Sequence, residues 1–144
     1  GSSQEKRARI LAENGVDAIF GSHPHVIQTA EMLSVETDAG IKTVPVAYSM
    51  GNFISNQQNR PCDMGVIFEI TAHKSGETGE TAVTGASFVP TVVYRGHSDH
   101  RDTYEVLPCG IYKEKSDHPK RHRCETVWEH EVNLMGAGFT ALAE

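Results

Sequence analysis

A chain of 144 residues, 38% of them hydrophobic, is long enough to bury one real core and has the make-up of a globular domain. Its 19 Asp and Glu against 13 Lys and Arg give a formal net charge of −6, which argues against a nucleic-acid-binding surface. No apolar run approaches the roughly 20 residues that cross a membrane. Cys62, Cys109 and Cys124 have no metal-ligand spacing, and their odd number argues for free thiols rather than a fully paired framework.

In chain order, residues 4–14 read as a helix. Ser2 with Glu5 fits a capping box, Ala8, Ile10 and Leu11 supply apolar contacts, and Gly15 is the stop. Residues 16–20 read as a short buried strand. Residues 30–36 and 42–49 alternate as strands around the turn residues Asp38-Ala39-Gly40, which predicts a hairpin. Strands follow at 64–72 and 81–94, joined by the polar stretch Lys74–Glu80 with its two glycines. A short strand at 103–107 ends at Pro108. Residues 118–134 read as a helix, with Asp117 as cap, Pro119 in the first turn, Val127, Trp128, Glu131 and Leu134 setting the spacing, and Gly136 as stop. There is no internal repeat and no low-complexity segment.

The chemistry concentrates at two places. Gly21-Ser22-His23-Pro24-His25-Val26 follows the apolar run 16–20. A residue before proline is pushed away from the helical region, and in an extended stretch residues i and i+2 face one way, about 6.5 Å apart. His23 and His25 would then present two imidazoles from a stiffened backbone, as suits a centre with two metals about 3.5–4 Å apart. The end of a strand is also where open α/β sheets place their ligands. The plain alternative is a turn with one stacked and one solvated histidine. Tyr48-Ser49-Met50-Gly51-Asn52-Phe53 likewise ends a strand. Gly51 would let the backbone approach a ligand, and Asn52 would bond a substrate oxygen; the alternative is a strand-exit turn with Asn52 bonded to its own backbone. His97-Ser98-Asp99-His100-Arg101-Asp102 holds metal-binding residue types but reads as a solvated loop, and His118, His122 and His130 as part of a polar helix face.

"NGVDAIFGSHPHVIQTAEML" followed by "VPVAYSMGNFI" resembles the carboxyl-terminal part of the CapA family, the bacterial poly-γ-glutamate capsule synthesis proteins related to calcineurin-like metallophosphoesterases. The resemblance continues through Phe88–Arg95 and Tyr104–Gly110 and covers most of residues 5–110. It implies an α/β (α+β) fold: the carboxyl-terminal part of a two-sheet sandwich flanked by helices. Residues 1–60 would carry the metal motif, 61–110 an antiparallel β part and 111–144 the last helix and tail. It implies that His23 and His25 are metal ligands, matching the last His-x-His motif of the superfamily, and that Asn52 orients substrate. Ser22 stands where more distant relatives have glycine. The aspartate, Asn-His-Asp and His-Trp-Gly motifs of the family have no match here; Trp128 lies in the late helix.

The resemblance further implies a part of a hydrolase-like protein of capsule or cell-envelope polymer metabolism that uses divalent ions (Mn, Zn or Fe), dinuclear in the full-length protein. Its substrate would be an anionic polymer or a phosphoester, with no nucleic acid among its partners. Membrane-bound capsule synthase subunits are the other partners it implies, at the cell envelope; separately, a truncated sheet would leave an unpaired edge that invites pairing with a second copy. The competing expectation is a non-catalytic component that binds an anionic polymer or scaffolds a synthase, since a fold does not establish turnover. The native amino terminus is expected upstream, Gly1-Ser2-Ser3 having the composition of a cloning remnant, so the lack of a visible signal peptide bears little on location.

Overall fold

The computed structural model describes residues 2–57 and 59–144. It opens with helix α1 (Ser2–Glu13), two residues earlier than the sequence pattern places it. The Ser2 side chain, expected to take part in a capping box, lies outside the described residues. The stop is as expected. Gly15 has φ +98°, its N–H donates to Ala12 O at 3.1 Å, and Val16 N–H donates to Leu11 O at 3.1 Å. That pair of bonds closes the helix as a Schellman motif. Ile10 and Leu11 do not supply the expected contacts: they are 59% and 45% exposed, whereas Ala8 and Ala12 are buried. Two alanines four apart form a smooth stripe that lies close on the sheet.

The strand expected over 16–20 shrinks to β1 (Ile19–Phe20), which runs parallel to β3 (Gly40–Ala47). Residues 15–17 serve another purpose. Lys42 Nζ bonds the carbonyls of Gly15 and Val16 at 3.1 and 3.0 Å and the Asp17 carboxylate at 2.8 Å. Strand β2 (Ala30–Thr37) pairs antiparallel with β3 from Ala30↔Ala47 to Thr37↔Gly40, the predicted hairpin. The first sheet has the order β1-β3-β2. α1 covers one face of it, and Ala8, Ala12, Leu33, Val35, Val44 and Val46 form one core.

The second sheet is antiparallel through β4 (Met64–Lys74), β5 (Thr81–Ser98) and β6 (Arg101–Pro108). The polar stretch at 97–102 is not an open loop. β5 runs four residues further than expected and β6 starts two residues earlier, so only Asp99 and His100 form the turn, with φ +50° and +64°. Positive φ at both central residues is what matches the twist of a hairpin; Ser-Asp-His-Arg lacks the Asn-Gly or Asp-Gly that announces it. His97 and Asp102 face each other across it, Nδ1 to Oδ1 3.2 Å.

After the four-residue helix α2 (Cys109–Tyr112), helix α3 (Arg121–Met135) begins three residues later than expected. Asp117 and Pro119 therefore sit in the turn before it, not in a cap. Arg121 N–H closes that turn on His118 O at 3.0 Å, and the His118 ring packs edge-on against Tyr112 and Tyr94. Gly136 ends the helix with φ +70°. Strand β7 (Thr140–Ala141) then joins β5 in parallel. α3 packs on β5 and also meets β2, so one core holds Ile27 and Ala30 from the first half of the chain with Phe88, Val92, Leu107, Val127 and Met135 from the second. The architecture is α+β: two sheets with helices on their faces.

Glu131 occupies an apolar position of α3 and is fully buried. Neither carboxyl oxygen has a hydrogen-bond partner among the described residues. Burial pushes its pKa up to about 9, against only a weak opposing pull from Arg123. The folded chain therefore keeps a proton that the unfolded chain releases above the ordinary value of 4.5. Stability from this group is full below that value and declines as pH rises towards about 9. The urea midpoint should fall between pH 5 and pH 8.5, and Glu131→Gln should flatten that decline. Glu131→Met should also raise the midpoint at pH 8.5, because an unpartnered buried polar group costs about 1–3 kcal/mol. An unchanged pH dependence in Glu131→Gln would refute this assignment.

Candidate functional site

The histidine loop is defined by its anchors. Gly21 N–H donates to Ala47 O at 2.6 Å, and Met50 N–H donates to Gly21 O at 3.2 Å. At the far end Ile27 bridges Met50 antiparallel, and Gln28 N–H reaches Ser49 O at 3.0 Å. Entry and exit thus lie side by side on the 47–50 segment, and residues 22–26 must reverse between them. The reversal is taken up at the two histidines, with φ +105° at His23 and +60° at His25. This corrects the extended conformation expected for His23. Proline disfavours helix in the residue before it, but the two anchors leave the chain no room to run on, and tertiary closure overrides that local preference. The same-side argument for residues i and i+2 of a strand therefore does not apply. Non-glycine residues with positive φ are uncommon; two in one loop are strain held in place by the surroundings. Both histidines are exposed and follow β1 directly.

The second motif splits between two environments. Tyr48 packs against the core beneath α1, and its hydroxyl donates a short hydrogen bond to Glu31. Burial, and then that carboxylate, push the Tyr48 phenol above its ordinary value. Asn52 lies on the histidine side and is only 7% exposed. Its Oδ1 sits 2.8 Å from His25 Nδ1. Its Nδ2 donates to Cys62 O at 2.8 Å and Gln57 Oε1 at 3.0 Å, with a longer contact of 3.5 Å to His25 O. Its backbone N–H donates to Met64 O at 3.0 Å. The turn-only alternative does not describe this residue, since its amide bonds side chains and carbonyls remote in sequence.

His25 and Asn52 are thus brought together across 27 positions. His23 shares their loop but bonds neither among the described residues. Gln57 and the Cys62 carbonyl complete the arrangement and escape sequence reading, the first because a loop glutamine carries no motif, the second because every residue has a carbonyl. The 61–64 segment is in turn locked to α3: Arg123, itself only partly exposed, clasps the buried Asp63 through two hydrogen bonds, one of them Nε to Oδ2 at 2.9 Å. Among the described residues no group of three or more His, Cys, Asp or Glu is placed to hold a metal ion. The donor set still suits part of one. Exposed imidazoles are ligands for zinc and iron, and His25 has a ring nitrogen, Nε2, without a protein partner among the described residues.

The loop can be pinned this closely only because Gly21 lacks a side chain. A Cβ there would lie 2.1 Å from Tyr48 O. Gly21→Ala should cost about 1–3 kcal/mol in urea denaturation and shift the amide resonances of residues 22–27 and 50–52 together. A neutral substitution would show that the loop is not anchored at this point.

Residues 1–57 match the family model described as bacterial capsule synthesis protein PGA_cap. The matched segment holds α1, the first sheet, both histidines and Asn52. No curated protein and no solved structure matches the chain. Over residues 1–57, the part that builds the histidine loop and the strand end facing it, the chain is similar to the PGA_cap family of bacterial capsule synthesis proteins.

Proposed function

We propose that this chain supplies the His-x-His part of a divalent-metal site in a hydrolase-like protein acting on phosphoester or related bonds in the metabolism of an anionic capsule polymer, poly-γ-glutamate or another of the cell envelope. The observation that carries this reading is the His25–Asn52 pair at 2.8 Å on a strained, doubly anchored loop. Strain retained at two neighbouring motif residues is the kind of feature that collects at functional sites. His23 and His25 would hold the ions, zinc or iron being better matched to imidazole than manganese. The chemistry such ions supply when bound is polarisation of a phosphoryl or carbonyl oxygen and activation of a water. The role of the chain's own residues is to present two imidazoles to solvent just after β1, with His25 held by Asn52. Asn52 fits a substrate-orienting role poorly, because its side-chain oxygen and both amide protons already have partners within the protein.

A second reading has its own support. A cleft of about 260 Å³ lies beside the 61–64 segment, lined by Arg60, Pro61, Met64, Arg123, Thr126 and His130. Arg123 is neutralised by Asp63, which leaves Arg60 and His130 as the groups to attract an anion. On a chain of net charge −6, such a spot fits a component that binds a polycarboxylate without turning it over.

Calorimetric titration with Zn²⁺ and assay of a generic phosphodiester separate the two readings. The metal reading expects weak Zn²⁺ binding that His23→Ala, His25→Ala abolishes, with no turnover by this chain alone, since catalytic zinc uses three protein ligands. Zn²⁺ binding indifferent to both histidines would remove the ligand assignment. Poly-γ-glutamate binding that persists in EDTA and weakens severalfold in Arg60→Ala, His130→Ala would favour the second.

A further inference from the structure

The two histidines are not equivalent. His23 has no hydrogen-bond partner among the described residues. His25 has one, and that partner is held rigidly. Asn52 is nearly sealed from solvent. Its backbone is fixed between Met64 O, which accepts its N–H at 3.0 Å, and Gly65, where an added Cβ would stand 2.3 Å from Asn52 O.

The orientation of the Asn52 amide is determined by its surroundings. The oxygen and nitrogen of an asparagine side chain are told apart by the network around them. Here the Cys62 carbonyl, 2.8 Å away, can only accept. The NH₂ group must therefore face Cys62, with Gln57 Oε1 taking its second proton at 3.0 Å. Oδ1 is left facing His25 Nδ1 at 2.8 Å. An amide oxygen has no proton to give, so in the neutral ring the proton has to sit on His25 Nδ1.

We propose that Asn52 is a positioning residue: it holds neutral His25 in the Nδ1–H tautomer and fixes its ring angle, so that the lone pair is on the outward Nε2. This rests on the ligand reading of His25 above, and it changes the job assigned to Asn52 from touching substrate to setting a ligand. A metal-binding histidine generally donates its other ring N–H to an oxygen that orients it; here the fold itself provides the orienting oxygen. Neutral imidazole in water otherwise favours the Nε2–H form, which would turn a protonated nitrogen outward. Nothing comparable holds His23 among the described residues, so of the two rings His25 is the one set in advance.

The test reads the tautomer directly. With ring-¹⁵N histidine, long-range ¹H–¹⁵N correlation at a pH where the imidazoles are neutral distinguishes the two forms, and His23 serves as control in the same spectrum. The expected result is Nδ1–H for His25 and predominantly Nε2–H for His23. Nε2–H at His25 in the unsubstituted protein would overturn the proposal, with no appeal to a misfolded variant. In Asn52→Leu, provided the amide spectrum outside residues 22–28 and 50–64 is unchanged, His25 should revert to Nε2–H, and Zn²⁺ affinity should fall about 10–100-fold. If His25→Ala weakens Zn²⁺ binding and Asn52→Leu does not, the positioning role is refuted. If His25→Ala itself leaves Zn²⁺ binding unchanged, it is the ligand reading that fails, and the tautomer of the unsubstituted protein still judges the role of Asn52.

Discussion

The structure depends on one crossing of backbones at residues 50–52. Met50 donates to Gly21 O, bridges Ile27 and accepts from Val66 N–H at 3.0 Å; Gly51 bridges Gly65; and Asn52 N–H donates to Met64 O. The first sheet, the histidine loop and the start of β4 are all fastened at these three residues. Backbone groups approach this closely only where side chains are missing, and glycine stands at position 21 on one side and at positions 51 and 65 on the other. The lack of side-chain atoms at those positions is what makes the site a rigid corner instead of a flexible exit from a strand.

From that corner the fold is secured outward by two different kinds of contact. Under α1 the contact is apolar and smooth, two alanines against valines and a leucine. On the other side it is ionic and directional: Arg123 on α3 clasps Asp63, whose carbonyl also accepts from Val93 N–H at 2.9 Å. A buried guanidinium–carboxylate pair adds little net stability, but breaking it by removing one partner costs about 3–5 kcal/mol. Here it sets the height of the 61–64 segment, and with it the Cys62 carbonyl that orients the Asn52 amide. The path from α3 to His25 thus runs through Arg123, Asp63, the Cys62 carbonyl and Asn52, each link with a fixed direction.

Glu131 is the counterexample within the same helix. It is buried beside the apolar residues that bind α3 to β5, yet it has no partner among the described residues and stays protonated. Its cost falls on the core that α3 builds with β5 and β2, the same core that takes in Ile27, Met64 and Val66 at the corner.

The α+β class, the β2–β3 hairpin, the helix stop at Gly15 and the existence of α3 were legible in the sequence, because each follows from a local cause: alternation, a glycine that accepts positive φ, or apolar spacing. So was the resemblance carried by Gly21–Val26 and Tyr48–Phe53, the segments that hold His23, His25 and Asn52. The sequence did not determine how those residues stand to one another. His23 was expected to be extended and is not, because the loop is fastened at both ends to the 47–50 segment, which closes it more tightly than proline stiffens it. Asn52 was expected to face a substrate; its side-chain oxygen faces His25, and the orientation of its amide is set by Cys62 O and Gln57. Local conformation is governed by neighbours along the chain and can be read there. The direction of a hydrogen bond across 27 positions depends on a carbonyl that any residue would provide, and only the folded chain determines which one it is.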